Sequence, residues 1–255
     1  MVPNIQQNHP EPSIQLSRGL RELKGTTRLL GGLGIRYLLW FFIPLLVGAC
    51  LYSYHMAVKL KQEKPFPSAT ITATACHYPQ DIEFRFFMNM SGAFINLIYF
   101  TLFRWLKLLK KETGFPYSTE QWLHPWAHLS VLGLYFAVAT IDGQGTTSIH
   151  GPGAVFFFVS LFIVLGAVTM VLREMKAWCS TVITSLSSSI KTGILLYLVG
   201  VAIYCGVGVA HEHEEDHDDP YLVIIEWNLA LGGLIWLFFF ALDWKNIQVT
   251  LKGDF

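Results

Sequence analysis

The chain has 255 residues, of which 53% are apolar and 14% charged, against about 45–50% and about 25% in a soluble domain. Lys and Arg together number 18, as do Asp and Glu. There is thus neither the basic excess of a nucleic-acid binder nor the polar, strongly charged make-up of a disordered chain.

Residues 1–32 form a polar tail with Pro3, Pro10 and Pro12 that ends in a basic stretch running from Arg18 to Arg28. Its long charged region is unlike that of a signal peptide. From residue 33 to 245 the apolar residues gather in blocks long enough to cross a hydrocarbon core about 30 Å thick. Six blocks follow one another: Leu33–Tyr54, Phe84–Leu106, Trp122–Ile141, Ala154–Leu172, Ile190–Ala210 and Tyr221–Leu242. Lipid offers the backbone no hydrogen-bond partner, so each block must be helical. The expected fold class is all-α, a polytopic six-helix transmembrane bundle followed by a short tail over 246–255.

Orientation follows the Lys/Arg bias. Fourteen of these residues fall on the side of the two tails and of the connections after the second and fourth spans. Four (Lys59, Lys61, Lys64 and Arg85) fall opposite. Both termini are therefore expected in the cytosol. The far-side loops are then Ser53–Glu83, Asp142–Gly153 and His211–Pro220. Trp40, Trp105, Trp122, Trp126, Trp178, Trp227 and Trp244 lie near span ends, as interfacial anchors do. In the fifth span Ala202, Gly206 and Ala210 form a small-residue stripe suited to helix packing. Either a Cys76–Cys205 disulfide or separate buried thiols fit the cysteine positions.

Ionisable and strongly polar groups at membrane depth mark candidate sites. In the second span Arg85, Asn89, Gly92 and Asn96 share one helix face. That stripe is expected to pack against other helices or to wall a lipid-headgroup pocket, with Arg85, Asn89, Asn96 and the loop residue His77 as lipid-binding candidates. Glu226 enters the sixth span one turn below the surface and needs a cation or a donor. Arg85 is the expected partner. His150 in the second far-side loop is the candidate general base, with Glu226 as the catalytic carboxylate. His124 and His128 are spaced as an i, i+4 metal pair, but no third ligand accompanies them. The run from His211 to Asp219 alternates histidines and acids, so His211, His213 and His217 are candidate metal ligands, although a solvated acidic loop has the same composition. No cofactor motif is present.

Several of these segments together resemble the Frag/DRAM/Sfk family. They are Pro44-Leu45 in the first span, Phe66-Pro67-Ser68, Tyr78-Pro79-Gln80 and Arg85-Phe86 after it, and Ile149-His150 before Ala154. Glu226-Trp227 and Asp243-Trp244 complete the pattern. The resemblance covers about Arg36 to Leu251. It implies six spans, cytosolic termini and work on lipids in the endomembrane system, Golgi or endoplasmic reticulum. The family's roles include fatty-acid remodelling of glycosylphosphatidylinositol (GPI) anchors, sterol or phospholipid handling, and regulation of autophagy. By position it points to Arg85, Pro79, His150 and Glu226 as a lumenal functional surface. Membrane lipids, and partner membrane subunits if the chain is instead a scaffold, are the expected partners. No nucleic acid is.

Overall fold

A computed structural model describes residues 35–113, 120–142, 145–146, 149–176, 183–211 and 220–244. Among them are eight helices: α1 (Ile35–Lys59), α2 (Ile71–Ala75), α3 (Gln80–Thr113), α4 (Glu120–Ala139), α5 (His150–Lys176), α6 (Ser185–His211), α7 (Pro220–Phe238) and α8 (Phe240–Asp243). A two-residue ribbon, Ile141–Asp142 paired antiparallel with Gly145–Thr146, links α4 to α5. The long helices run up and down in a bundle. One end carries α2 and the ribbon (the α2 end) and the other carries α8 (the α8 end).

Five helices are long and apolar enough to cross a membrane: α1, α3, α5, α6 and α7 with its α8 extension. This establishes a multi-pass helical membrane protein. The third block, α4, does not join that set. At 20 residues it has the length, but its first turns hold Glu120, Gln121, His124, Pro125 and His128.

Helix ends obey local chemistry. Asp81 and Glu83 lie in the first turn of α3, and Arg173 and Lys176 in the last turn of α5, each complementing the helix dipole. α3 has 34 residues, about 51 Å at 1.5 Å per residue, so it outruns the hydrocarbon core.

Close packing is concentrated between α4 and α5. A Cβ on Gly133 would lie 2.5 Å from the Phe157 amide nitrogen, and one on Gly153 would lie 2.8 Å from that of Ala137. Both glycines are therefore required by backbone-to-backbone approach, the way helices associate in lipid. Trp236 on α7 donates its indole N–H to Thr169 on α5 at 3.0 Å.

Several packing expectations change. Trp105, Trp227 and Trp244 are buried inside the bundle, where aromatic stacking holds them: Trp105 and Trp244 are 6.1 Å apart, edge to face. Only Trp40 and Trp122 are exposed like anchors, and Trp178 lies outside the described residues. In the α6 stripe Gly206 is exposed, and a Cβ there would meet nothing within 4 Å. Cys76 and Cys205 are buried thiols with no disulfide between them.

Candidate functional site

The segment between α1 and α3 folds over the end of the bundle and is pinned at four points. The Tyr54 hydroxyl accepts from the Phe66 amide at 2.9 Å. The Gln62 amide donates to the Tyr78 carbonyl at 3.2 Å. His77 Nε2 meets Glu63 Oε1 at 2.8 Å. The Trp227 indole on α7 donates to the Ala69 carbonyl at 2.9 Å. Within this frame Thr70 caps the single turn of α2 by accepting from the Ala73 amide at 2.9 Å. The cap sets the direction of the next residues, and Thr72 points inward.

Thr72 joins the two residues singled out as catalytic candidates. Its hydroxyl is 2.7 Å from Glu226 Oε1 and 3.2 Å from His150 Nε2, and its amide donates to the same Glu226 oxygen at 3.2 Å. The other imidazole nitrogen, Nδ1, is 2.9 Å from the Ala137 carbonyl. A carbonyl only accepts, so Nδ1 carries a proton. With Glu226 ionised, Thr72 donates to it and a doubly protonated His150 donates to Thr72. With Glu226 protonated, the chain reverses, and Thr72 donates to the bare Nε2 of a neutral His150. Both arrangements have zero net charge. The Thr72 hydroxyl thus bridges the imidazole and the carboxylate.

Below this cluster lies an apolar cavity. Its volume is about 100 Å³, on a scale where one water needs roughly 10–15 Å³. Thr72, His150 and Glu226 line its polar end. Phe84, Met88 and Ile95 of α3, Leu134 and Val138 of α4, and Leu161 of α5 form much of the rest. Ser91 also faces it, but the Ser91 hydroxyl turns back to its own helix and donates to the Phe87 carbonyl.

The expected Arg85–Glu226 ion pair is not formed. Arg85 bonds to Asp81 one turn earlier, with Nη2 3.0 Å from Oδ2, and Glu226 takes its donors from Thr72. Arg85 and Asn89 do not line the cavity. Asn89 is exposed, and Gly92 receives the Tyr135 ring, which a Cβ would meet at 2.5 Å. Asn96 is half-buried beside the cavity without lining it. The stripe at 85, 89, 92 and 96 is the neighbour of the one that faces the cavity, at 84, 88, 91 and 95. His77 ties the far-side segment to Glu63 and stands apart from the cavity. The side chains of His211, His213 and His217 lie outside the described residues. Among those described, no three His, Cys, Asp or Glu side chains gather as a metal site. His124 stacks on Phe103, ring centres 4.1 Å apart.

A second buried polar cluster occupies the α8 end. Lys191 of α6 and Asp243 of α8 form an ion pair with almost no exposure. Ser187 donates to the same Asp243 oxygen at 2.9 Å, and the Lys191 ammonium lies 3.6 Å from the centre of the Phe240 ring. Neither Thr72 nor the Lys191 pairing was among the sequence candidates. A threonine in a loop and a lysine that obeys the charge bias carry no distinguishing mark.

These features define a class: a multi-pass helical membrane protein whose bundle holds an apolar cavity under a Thr–His–Glu cluster. The Frag1/DRAM/Sfk1/Cwh43P N-terminal domain matches residues 34–247. The chain belongs to that family. No curated protein and no solved structure matches it.

Proposed function

We propose that this protein handles lipids in the fatty-acid remodelling of GPI anchors, in the manner of post-GPI-attachment-to-proteins factor two, at the Golgi or endoplasmic reticulum. The observation that carries the proposal is the cavity that ends at Thr72, His150 and Glu226. An apolar slot suits an acyl chain, and a hydroxyl or ester at its polar end would meet both a donor and a proton acceptor. His150 Nδ1–H is held by the Ala137 carbonyl, so a lipid hydroxyl that displaces Thr72 from Nε2 can give its proton to that nitrogen, with the neutral imidazole as general base, while Thr72 keeps its bond to Glu226. In this assignment α4 is the sixth span, held by its glycine-mediated contact with α5. The termini are cytosolic, with the α2 end lumenal. A glycosylation acceptor placed within residues 212–219 is then modified, while one in the N-terminal tail is not.

The test is complementation of cells that lack the remodelling factor, with the acyl composition of GPI anchors read by mass spectrometry. Wild-type chain restores the remodelled composition. His150→Ala and Glu226→Gln reach the same compartment at normal abundance and do not. Failure of the wild type, or full activity in both variants, refutes the proposal.

A second assignment, as a subunit that docks other membrane proteins, is favoured by α6. Only 17% of its spanning window is buried, against 33–50% for the other four, and Leu196, Tyr197, Ile203 and Tyr204 face outward. Co-purification of a stoichiometric partner that is lost on Tyr204→Ala, with GPI lipids unchanged in null cells, would select it.

A further inference from the structure

We propose that the cavity is a slot for one acyl chain, entered sideways from the bilayer between α5 and α7, with the chain's ester or carboxyl end held at Thr72 and His150. The proposal rests on the lipid-handling function and adds to it the number of chains, their direction and their route.

Three observations carry it. The first is depth. On α3 the lining runs from Phe84 to Ile95, on α5 from His150 to Leu161, and on α7 from Glu226 to Leu237. Each stretch advances eleven residues, roughly 16 Å along a helix, and all three start at the α2 end. Half of a hydrocarbon core about 30 Å thick is one leaflet, and one leaflet is the length of one acyl chain. The slot therefore ends where a single chain ends.

The second is polarity. The polar lining groups are gathered at one end, apart from Ser91, whose hydroxyl is satisfied within its own helix. A ligand that is polar at one terminus and apolar along its length matches this distribution. A headgroup lying along the slot would leave the apolar wall mismatched.

The third is the route. The lining residues from α1, α3 and α4 are all buried. Those with partial exposure are Thr72, then His150, Ala154, Phe157 and Phe158 of α5, and Glu226, Ala230 and Leu234 of α7. The wall is closed on three helices and open along α5 and α7. Ala154 and Ala230 are the smallest of these partly exposed lining side chains.

The experiment uses the purified full-length chain in nanodiscs with two probes. One is 1-palmitoyl lysophosphatidylcholine and the other is free palmitate, each carrying a diazirine at the end of the chain. Photolysis followed by peptide mass spectrometry is expected to label the deep wall, at Ile95, Leu161 or Leu237. Labelling by the lysolipid assigns an esterified chain, and labelling by palmitate alone assigns a free fatty acid. Ala230→Phe, or Ala154→Phe should the first variant fold poorly, is expected to lower deep-wall labelling at least tenfold with unchanged thermal stability. Labelling confined to outward residues such as Val155, Phe156 and Tyr204 would overturn the slot. So would deep labelling that neither variant reduces. The complementation assay separates the two levels. If the phenylalanine variants restore GPI remodelling while His150→Ala does not, the slot fails and the function stands. If the wild type restores nothing, the function itself fails.

Discussion

The bundle buries a polar cluster at each end, and the two are built on opposite principles. At the α8 end Lys191 and Asp243 cancel each other's charge, Ser187 adds a second donor, and the Phe240 ring covers the ammonium. That cluster is not part of the lining of the apolar cavity. At the α2 end Thr72 links a histidine and a glutamate, all three half-buried, and one side of the trio faces an apolar cavity. Both lie among apolar helices, so burial of charge does not by itself mark a site. What separates them is closure. A sealed pair can only hold helices together, whereas an open trio can exchange hydrogen bonds with something that enters.

The contrast breaks first at the sealed end. Asp243→Asn removes the countercharge of a fully buried lysine. Breaking a buried pair by removing one partner costs about 3–5 kcal/mol, so a large fall in thermal stability and in yield is expected. Lys191→Met combined with Asp243→Asn should recover most of it, because no charge then stays buried. GPI-lipid remodelling per folded molecule is expected to be unchanged in the double variant. Thermal unfolding of purified protein measures the first part, and complementation corrected for abundance measures the second. Lost activity at normal abundance would show that the α8 end is more than a staple.

The open end should behave in the reverse way, with activity lost and stability kept. Removing a general base lowers rates by roughly 10²–10⁴-fold, so with His150 in that proposed role His150→Ala is expected to cut remodelling by about 100-fold or more. Its unfolding temperature should stay close to that of the wild type. A parallel loss of protein and activity would make His150 a structural residue.

The sequence disclosed these two ends unequally, for physical reasons. Glu226 and His150 stand out because ionisable groups are costly beside a membrane. Their link, Thr72, does not, since threonine is ordinary in a loop and its partners are 78 and 154 residues away. Spans could be read from hydropathy because a hydrocarbon core demands a fixed length. α4 stayed ambiguous because His124, Pro125 and His128 dilute it. The cavity-facing stripe of α3 is inconspicuous in the sequence for a general reason. A cavity that takes an acyl chain is lined by the same residue types that face lipid, so Phe84, Met88 and Ile95 look like any membrane-facing stripe. The polar stripe beside them is conspicuous, yet it serves the Tyr135 contact and the surface. Lys191 counted toward the cytosolic charge bias and proved to be buried. Charge bias reports which side a residue is on, not whether it reaches water.

Thr72 sharpens the comparison more gently. Thr72→Val keeps the shape of the side chain and deletes the hydroxyl, so Glu226 loses its 2.7 Å donor and His150 Nε2 loses its partner. An unsatisfied buried polar group costs about 1–3 kcal/mol, so a moderate loss of stability is expected. A drop in remodelling beyond the loss of protein should accompany it. Thr72→Ser restores the hydroxyl and should rescue both. If Thr72→Val were as active as the wild type, a role for the bridging hydroxyl would be excluded, and the cluster would reduce to His150 and Glu226 acting separately.

The smallest effect is expected at Arg85, which would join the open end if it served as the partner of Glu226. Its guanidinium is instead committed to Asp81 on the same helix, with Nη2 at 3.0 Å from the carboxylate and Nε at 3.3 Å from the carbonyl. Asp81 also lies in the first turn of α3, where the helix dipole favours a negative charge, so Arg85 has its countercharge without Glu226. A double-mutant cycle over Arg85→Gln and Glu226→Gln should therefore return a coupling no larger than the roughly 0.3–0.5 kcal/mol found between independent sites. Arg85→Gln with Asp81→Asn should give a measurable coupling in the same assay. Remodelling per folded molecule should be close to normal in Arg85→Gln, because the residue touches neither the cavity nor the Thr72 chain. A coupling above about 1 kcal/mol to Glu226, well beyond additivity for separate sites, would mean that the two charges meet in the functional state. The open end would then close into an ion pair like the one at Lys191 and Asp243, and the distinction between the two ends would fall.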